Sequence, residues 1–344
     1  MKSKNDRLIA TWLYFGAGTI IIQILLGGVT RLTGSGLSIT EWKPLMGFIP
    51  PIATDEWELS FEKYKQIAQF KLINSSFTLE DYKSIYFWEW LHRNWARFMG
   101  LCFILPFFFL LIKRKISNTL ILPIFVLFLL GLLQGAIGWI MVKSGLNDTN
   151  IRVNHIRLSI HFMAAILLLA YTLWIAFKLS LKDLKMRHRL KCNLWSFLLL
   201  MALVTQLFYG ALMAGTSAAL AAPTWPTING SYIPAQVYNQ GFNINHLSSD
   251  LVTIQFIHRS LAYLICILTI LIYIKTSSWK INRKLEVVRL VPLVIVFAQC
   301  ALGIGTLLNC LNNDYKIYAA LHQFMGLSLF ISILLLHYLN IKKT

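Results

Sequence analysis

Charge is scarce in this sequence, and cysteine scarcer. Asp, Glu, Lys and Arg make up only 13% of the 344 residues. A soluble domain of that length needs a more polar surface, so a soluble globular fold is excluded. There are five cysteines, no Cys-x-x-Cys-His for covalent heme attachment, and no Cys/His spacing suited to zinc. Cys102, Cys266 and Cys300 fall inside apolar runs, Cys192 lies in a basic link, and Cys310 lies near the end of a run. No outer loop carries two, so a loop disulfide is not expected. Acidic residues number 14 against 32 basic ones, a formal net charge of +18. The excess sits in the links between apolar runs, which argues for a membrane and its lipid rather than nucleic acid.

What abounds is apolar length. Hydrophobic residues are 57% of the chain and the mean hydropathy is +0.61. About 20 apolar residues cross a ~30 Å hydrocarbon layer. Eight runs reach that length, at roughly 8–29, 87–111, 118–142, 156–178, 193–215, 251–274, 287–309 and 317–340. The expected fold is therefore all-α, a polytopic membrane protein with eight transmembrane helices. The first run lacks a small-residue cleavage site and is too long for a cleavable signal. Lys2, Lys4 and Arg7 precede it, and Lys113, Arg114 and Lys115 follow the second. Further basic clusters are Lys178, Lys182, Lys185, Arg187, Arg189 and Lys191, then Lys275, Lys280, Arg283, Lys284 and Arg289, then Lys342 and Lys343. Segment 216–250 has no Lys or Arg. The positive-inside bias then puts both termini in the cytoplasm, in a multi-pass inner (cytoplasmic) membrane protein.

The eight runs divide into two similar sets of four. Glu89-Trp90-Leu91-His92-Arg93 in the second run matches Gln255-Phe256-Ile257-His258-Arg259 in the sixth. Gln134-Gly135-Ala136-Ile137-Gly138 matches Gln299-Cys300-Ala301-Leu302-Gly303, each followed by a histidine at the start of the next run, His161 and His322. Gln23 and Gly27 in the first run match Gln206 and Gly210 in the fifth. The expected organisation is two pseudo-symmetric four-helix bundles, 1–178 and 193–344, joined by a cytoplasmic link at 179–192. Both copies start on one side, so the repeat is parallel, about an axis along the membrane normal. The long link 30–86, rich in Trp, Tyr and Pro, is expected to fold as a cap on the outer face.

Four histidines at duplicated positions point to heme. Each half brings two imidazoles to one depth, expected on adjacent helices, and a low-spin heme needs one such nitrogen on each side of its iron. The pairs are His92 with His161 and His258 with His322. A single membrane histidine is more often a helix hydrogen-bonding residue, but that reading does not explain four in register. His155 begins the same run as His161 and competes with it; the surroundings of His161 better match those of His322. His188 in the cytoplasmic link, His246 in an outer loop and His337 near the inner end of the eighth run are weaker candidates. Glu89 lies three residues before His92 on one helix face, where the second half has Gln255. A carboxylate there can accept protons, orient water or stabilise positive charge, whereas an amide only hydrogen-bonds. Alternatively Glu89 pairs with Arg93 one turn on. Replacing it by Gln would copy the second half. Arg31, Arg93, Arg97 and Arg259 lie near the outer edge, where guanidinium groups suit heme propionates or snorkel to the interface.

These residues resemble the heme A synthase family, over nearly the whole chain. The most specific segment runs Gly27-Gly28-Val29-Thr30-Arg31-Leu32-Thr33-Gly34-Ser35-Gly36-Leu37-Ser38 and continues through Glu41-Trp42-Lys43-Pro44. Ile85 to Arg93, Gly138 to Leu146 and Gln255 to Arg259 add to it. The match is to the branch without cysteine pairs in the outer loops. Ala96 stands where Gly is common, and Ala222-Pro223 where an Asn is usual. The resemblance implies a heme b cofactor between His258 and His322, and the substrate heme O near His92 and His161 with Glu89 essential. It implies two hydroxylations of the C8 methyl group and loss of water to a formyl group, giving heme A for cytochrome oxidase. It also implies water as oxygen source, an electron acceptor that the sequence does not name, and contact with the farnesyltransferase that makes heme O. Two other readings stay open from the residues alone: a diheme b-type electron-transfer protein, and a heme carrier.

Overall fold

The computed structural model describes residues 4–42, 46–182, 193–239, 243–277, 283–312 and 314–341. Lys2, Lys43, Pro44, Lys280, Lys342 and Lys343 lie outside the described residues, as does most of the expected link, with His188 and Cys192. Among the described residues twelve α-helices follow in order: α1 (Lys4–Leu32), α2 (Thr54–Lys65), α3 (Ala68–Leu72), α4 (Leu79–Ile112), α5 (Asn118–Lys143) and α6 (His155–Ser180), then α7 (Asn193–Thr216), α8 (Ala235–Asn239), α9 (Ile244–Ser249), α10 (Leu251–Lys275), α11 (Arg283–Leu308) and α12 (Tyr315–Ile341). Eight of them, α1, α4, α5, α6, α7, α10, α11 and α12, are long and apolar enough to cross a membrane. This is the expected all-α polytopic fold. Residues 11–173 form one compact unit, and the described residues of 1–10 and 174–344 form another.

In the first unit α4 starts earlier than its apolar run suggested, at Leu79 rather than near 87. Its 34 residues span ~51 Å at 1.5 Å per residue, more than the ~30 Å hydrocarbon layer. The extra turns carry Glu80, Asp81 and Lys83 together with the aromatic Tyr82 and Tyr86. Thr78 caps the helix, its hydroxyl accepting from Asp81 N–H while the Asp81 carboxylate accepts from Thr78 N–H. Tyr82, Ile85 and Tyr86 on these turns pack with Leu37, Phe61, Tyr64 and Ile67 of the outer loop. The expected cap is thus a packed aromatic core. Its Tyr64 hydroxyl donates to Gln69 Oε1 (3.0 Å) and accepts from Asn74 Nδ2 (2.8 Å). Burial pushes that hydroxyl up to about 12, so it stays a donor across the physiological range.

The second unit contains a ring of four long helices. α7 packs on α10, α10 on α11, α11 on α12, and α12 on α7. α10 and α12, which carry His258 and His322, therefore occupy opposite corners. They are not the adjacent pair expected from the sequence. α11 stands between them on one side and α7 on the other, so the two histidine-bearing helices meet across the bundle axis rather than along a shared packing face.

Candidate functional site

Each repeat histidine sits against a glycine on the helix before it. A Cβ at Gly138 would stand 2.8 Å from His161 Cε1, and one at Gly303 2.8 Å from His322 Cε1. At Gly27 it would stand 3.2 Å from His92 Nε2, and at Gly210 3.4 Å from His258 Cε1. A glutamine one turn before each glycine reaches the same histidine. Gln23 Nε2 lies 3.0 Å from His92 Nε2, Gln206 Nε2 3.4 Å from His258 Nε2, and Gln299 Nε2 3.3 Å from His322 Nε2. Gln134 Nε2 donates to the His161 backbone carbonyl at 3.1 Å. The Gln-x-x-x-Gly spacing works because residues four apart share a helix face. Glycine lets the ring come close, and the glutamine above it meets the ring or its backbone. The repeated motif was visible in the sequence; the seat it forms was not.

His258 and His322 face each other with ring centroids 6.4 Å apart and planes at 72°. Two imidazoles that share one metal through bonds of about 2 Å hold their centres roughly 6 Å apart, so the pair fits a single six-coordinate iron. His322 Nδ1 lies 3.1 Å from the Gln299 carbonyl. Donation from Nδ1–H to that carbonyl leaves the Nε2 lone pair for a metal. Among the described residues, the Nδ1 atoms of His161 and His258 and the side-chain carbonyls of Gln23, Gln134, Gln206 and Gln299 are buried with no hydrogen-bond partner. Buried polar atoms without partners are few in a folded protein, and six of the ten among the described residues gather at these seats, the others being at His246, Arg289 and Asn340. In the first unit His92 and His161 rest on the Gly27 and Gly138 seats of α1 and α5. It is His161, not His155, that meets the Gln-Gly seat.

Glu89 is 2% exposed and fully engaged. Its Oε1 accepts from Arg93 Nη2 at 2.6 Å, and its Oε2 accepts from the Ser38 hydroxyl (2.7 Å) and the Ile39 N–H (2.9 Å). Arg93 also donates to the carbonyls of Ile39 (3.0 Å) and Glu41 (3.2 Å). The Glu89–Arg93 pairing raised by the sequence is therefore present, as part of a larger clasp on the outer loop. Its local cause is Gly34. That residue takes φ +69 just past α1, with Ser35 N–H bonded to the Thr30 carbonyl and Gly34 N–H to the Arg31 carbonyl. This left-handed ending turns the chain back and delivers Ser38 to Glu89. Gly145, in the segment after Gly138, gives Leu37 its place, since a Cβ there would come within 2.8 Å of Leu37 Cδ2.

The second unit repeats the clasp with the hydrogen-bond sense reversed. Gln255 Oε1 accepts from Arg259 Nη2 (2.6 Å), but Gln255 Nε2 donates to the Ala218 carbonyl (3.1 Å). Arg259 donates on to the carbonyls of Thr224 (2.6 Å) and Thr227 (3.1 Å). The loop offers donors to the carboxylate and an acceptor to the amide. Of the other candidates, Arg97 donates to Asn94 Oδ1 at 2.6 Å and Arg31 closes the last turn of α1. A cavity of about 190 Å³ opens beside the clasp, lined by Glu41, Trp42, Arg93, Trp139 and Lys143 among others. His246 and His337 have other partners, Thr253 Oγ1 at 3.0 Å and, across on α7, Ser196 Oγ at 2.9 Å. Ser38 carried no chemical signal in the sequence beyond its place in the Gly27 to Ser38 segment.

The family model COX15-CtaA, described as cytochrome oxidase assembly protein, matches residues 10–334. A heme A synthase of Novosphingobium aromaticivorans is 40% identical over 330 residues, covering 92% of this chain and 91% of its own. One from Azorhizobium caulinodans is 37% identical over 97% of this chain and 94% of its own, and one from Caulobacter sp. strain K31 is 37% identical over 90% of each. With paired histidines seated on glycines in an eight-helix apolar fold, and with matches of this extent, the chain belongs to the COX15-CtaA family of cytochrome oxidase assembly proteins.

Proposed function

We propose that this chain is a heme A synthase, an oxidoreductase that converts the C8 methyl group of heme O to a formyl group. The net change adds one water oxygen to the methyl carbon and releases four protons and four electrons, by two hydroxylations and loss of water from the gem-diol. The observation that carries this reading is the asymmetry of two otherwise matching sites: a buried carboxylate at Glu89 with two donors from the outer loop, and an amide at Gln255 facing a carbonyl.

In this reading His92 and His161 hold the iron of the substrate heme O. Their Gly27 and Gly138 seats set the ring positions. Glu89 handles the protons released at the methyl carbon and stabilises the positive charge developing there. Arg93 keeps the carboxylate oriented and ties it to the loop, so both move together and water entry is controlled. Arg31, Arg93, Arg97 and Arg259 are the candidates to meet the propionates, Arg93 and Arg259 while also holding their loop carbonyls. His258 and His322 would hold heme b, which would supply one-electron oxidation–reduction chemistry. The two halves, 1–178 and 193–344, divide into substrate and cofactor sites. The electrons leave to an acceptor outside this chain, and heme O arrives from the farnesyltransferase that makes it. The protein lies in the inner membrane with both termini cytoplasmic and both sites toward the outer face.

Pigment extraction from cells that make heme O and express the chain tests the reading. Formation of a formyl heme is expected; heme O left unchanged beside a heme-loaded protein would mean a carrier or an electron-transfer protein. His258→Ala and His322→Ala should each abolish the bis-imidazole spectrum of the purified protein. An unaltered spectrum would remove that residue from the ligand set.

A further inference from the structure

A second pair of reactive side chains lies outside the clasp and the histidine seats. Cys266 on α10 and Cys300 on α11 bring their Sγ atoms to 3.4 Å, and both are free thiols. α10 and α11 pack side by side within one unit. A disulfide needs about 2.05 Å between sulfurs, so closure asks for a relative movement of about 1.4 Å, within reach of side-chain rotation. The other described cysteines are differently placed: the Cys310 thiol faces the Ala219 carbonyl at 3.6 Å, and Cys102 lies in the other unit. Position gives the pair meaning. Cys300 directly follows Gln299, whose carbonyl lies 3.1 Å from His322 Nδ1, and stands one turn before Gly303. Both cysteines are half-buried and Tyr263, Ile267 and Phe297 beside them in sequence are exposed on an apolar surface, which suits approach by a lipid-soluble reagent.

We propose that Cys266 and Cys300 are a redox-active dithiol that closes to an intramembrane disulfide between α10 and α11, with a lipid-soluble quinone as the oxidant. Two S–H bonds break and one S–S bond forms. Both electrons and both protons pass to the quinone, which leaves as the hydroquinone; a small dithiol reverses the step. The closed form staples α10 to the turn of α11 that orients His322.

The test uses the full chain with its bound heme in detergent micelles. It is treated with a tetramethyl-substituted benzoquinone, whose ring is blocked to thiol addition, at a dose that oxidises free dithiothreitol in the same micelles. Remaining thiols are alkylated, and the digest is mapped by mass spectrometry. The expected result is a peptide linked through Cys266 and Cys300 in most chains, lost on reduction, with Cys102 and Cys310 alkylated singly. Cys266→Ser and, independently, Cys300→Ala should each abolish it; where a variant fails to fold, the map of the unaltered chain decides. Separate alkylation of Cys266 and Cys300 after oxidation, or linkage of either to another cysteine, overturns the proposal.

Discussion

Four glycines decide how close four imidazoles can come, and their contacts are graded. An added methyl at Gly138 or Gly303 meets the ring at 2.8 Å, at Gly27 at 3.2 Å and at Gly210 at 3.4 Å. Overpacking of this kind costs about 1–3 kcal/mol. Gly303→Ala should therefore weaken or abolish the low-spin heme signal of the purified protein, while Gly210→Ala keeps it. The opposite order in absorption spectra would contradict the seats. Glu89 carries a second prediction. Glu89→Gln is not a copy of the second half, because Ser38 and Ile39 offer donors where Ala218 offers a carbonyl. An unmet buried donor costs about 1–3 kcal/mol. Loss of acid–base help costs a further ~10²–10⁴ in rate. The variant should keep its heme b spectrum and accumulate heme O or the monohydroxylated product. If Arg93→Gln lowers formyl-heme yield as far and the double variant goes no lower, Glu89 acts only by holding Arg93.

Among the elements, the turn after α1 is the most sensitive joint of the first unit. Gly34 has φ +69, where a side chain costs about 1–2 kcal/mol and Asn costs less than Ala. Gly34→Ala should loosen the 35–39 backbone from Glu89 and lower formyl-heme yield, Gly34→Asn should recover much of it, and the second unit's heme spectrum should stay unchanged in both. Equal yields from the Ala and Asn variants would separate the loop from the backbone geometry proposed for it. The outer start of α4 belongs to the same joint. Its first turns carry Tyr82 and Tyr86 into the loop core, and Tyr82 Oη donates to the Ser38 carbonyl at 3.2 Å. The hydropathy of the apolar run ended short of these turns because they are held by aromatic packing and a cap, not by lipid.

At the scale of the molecule, the placement of charge in the links argues for one orientation. Tyr232 is 75% exposed in a segment without Lys or Arg, and Lys182 follows α6 in a basic link. On a background without native cysteines, Tyr232→Cys should react with an impermeant thiol reagent in intact cells and Lys182→Cys should not. The reverse labelling would invert the orientation, since loop charge bias is its support.

Eight spans, most of their ends to within a few residues though not the start of α4, the duplicated histidines and the Gln-x-x-x-Gly repeats were legible from the chain itself. Span length and hydropathy are local properties, and duplication is a comparison of one stretch with another, so neither needs a third dimension. What the tertiary structure alone decided lies between residues far apart in sequence. It set His258 and His322 on opposite corners of a ring of helices. It gave Glu89 the donors Ser38 and Ile39, about fifty residues away, and put Cys266 in contact with Cys300. Hydrophobic periodicity tells a helix to enter the membrane but not which neighbour it faces, because lipid and a facing helix are equally apolar. The partners are chosen by small residues, buried polar groups and loop geometry, and those act only once the chain has folded.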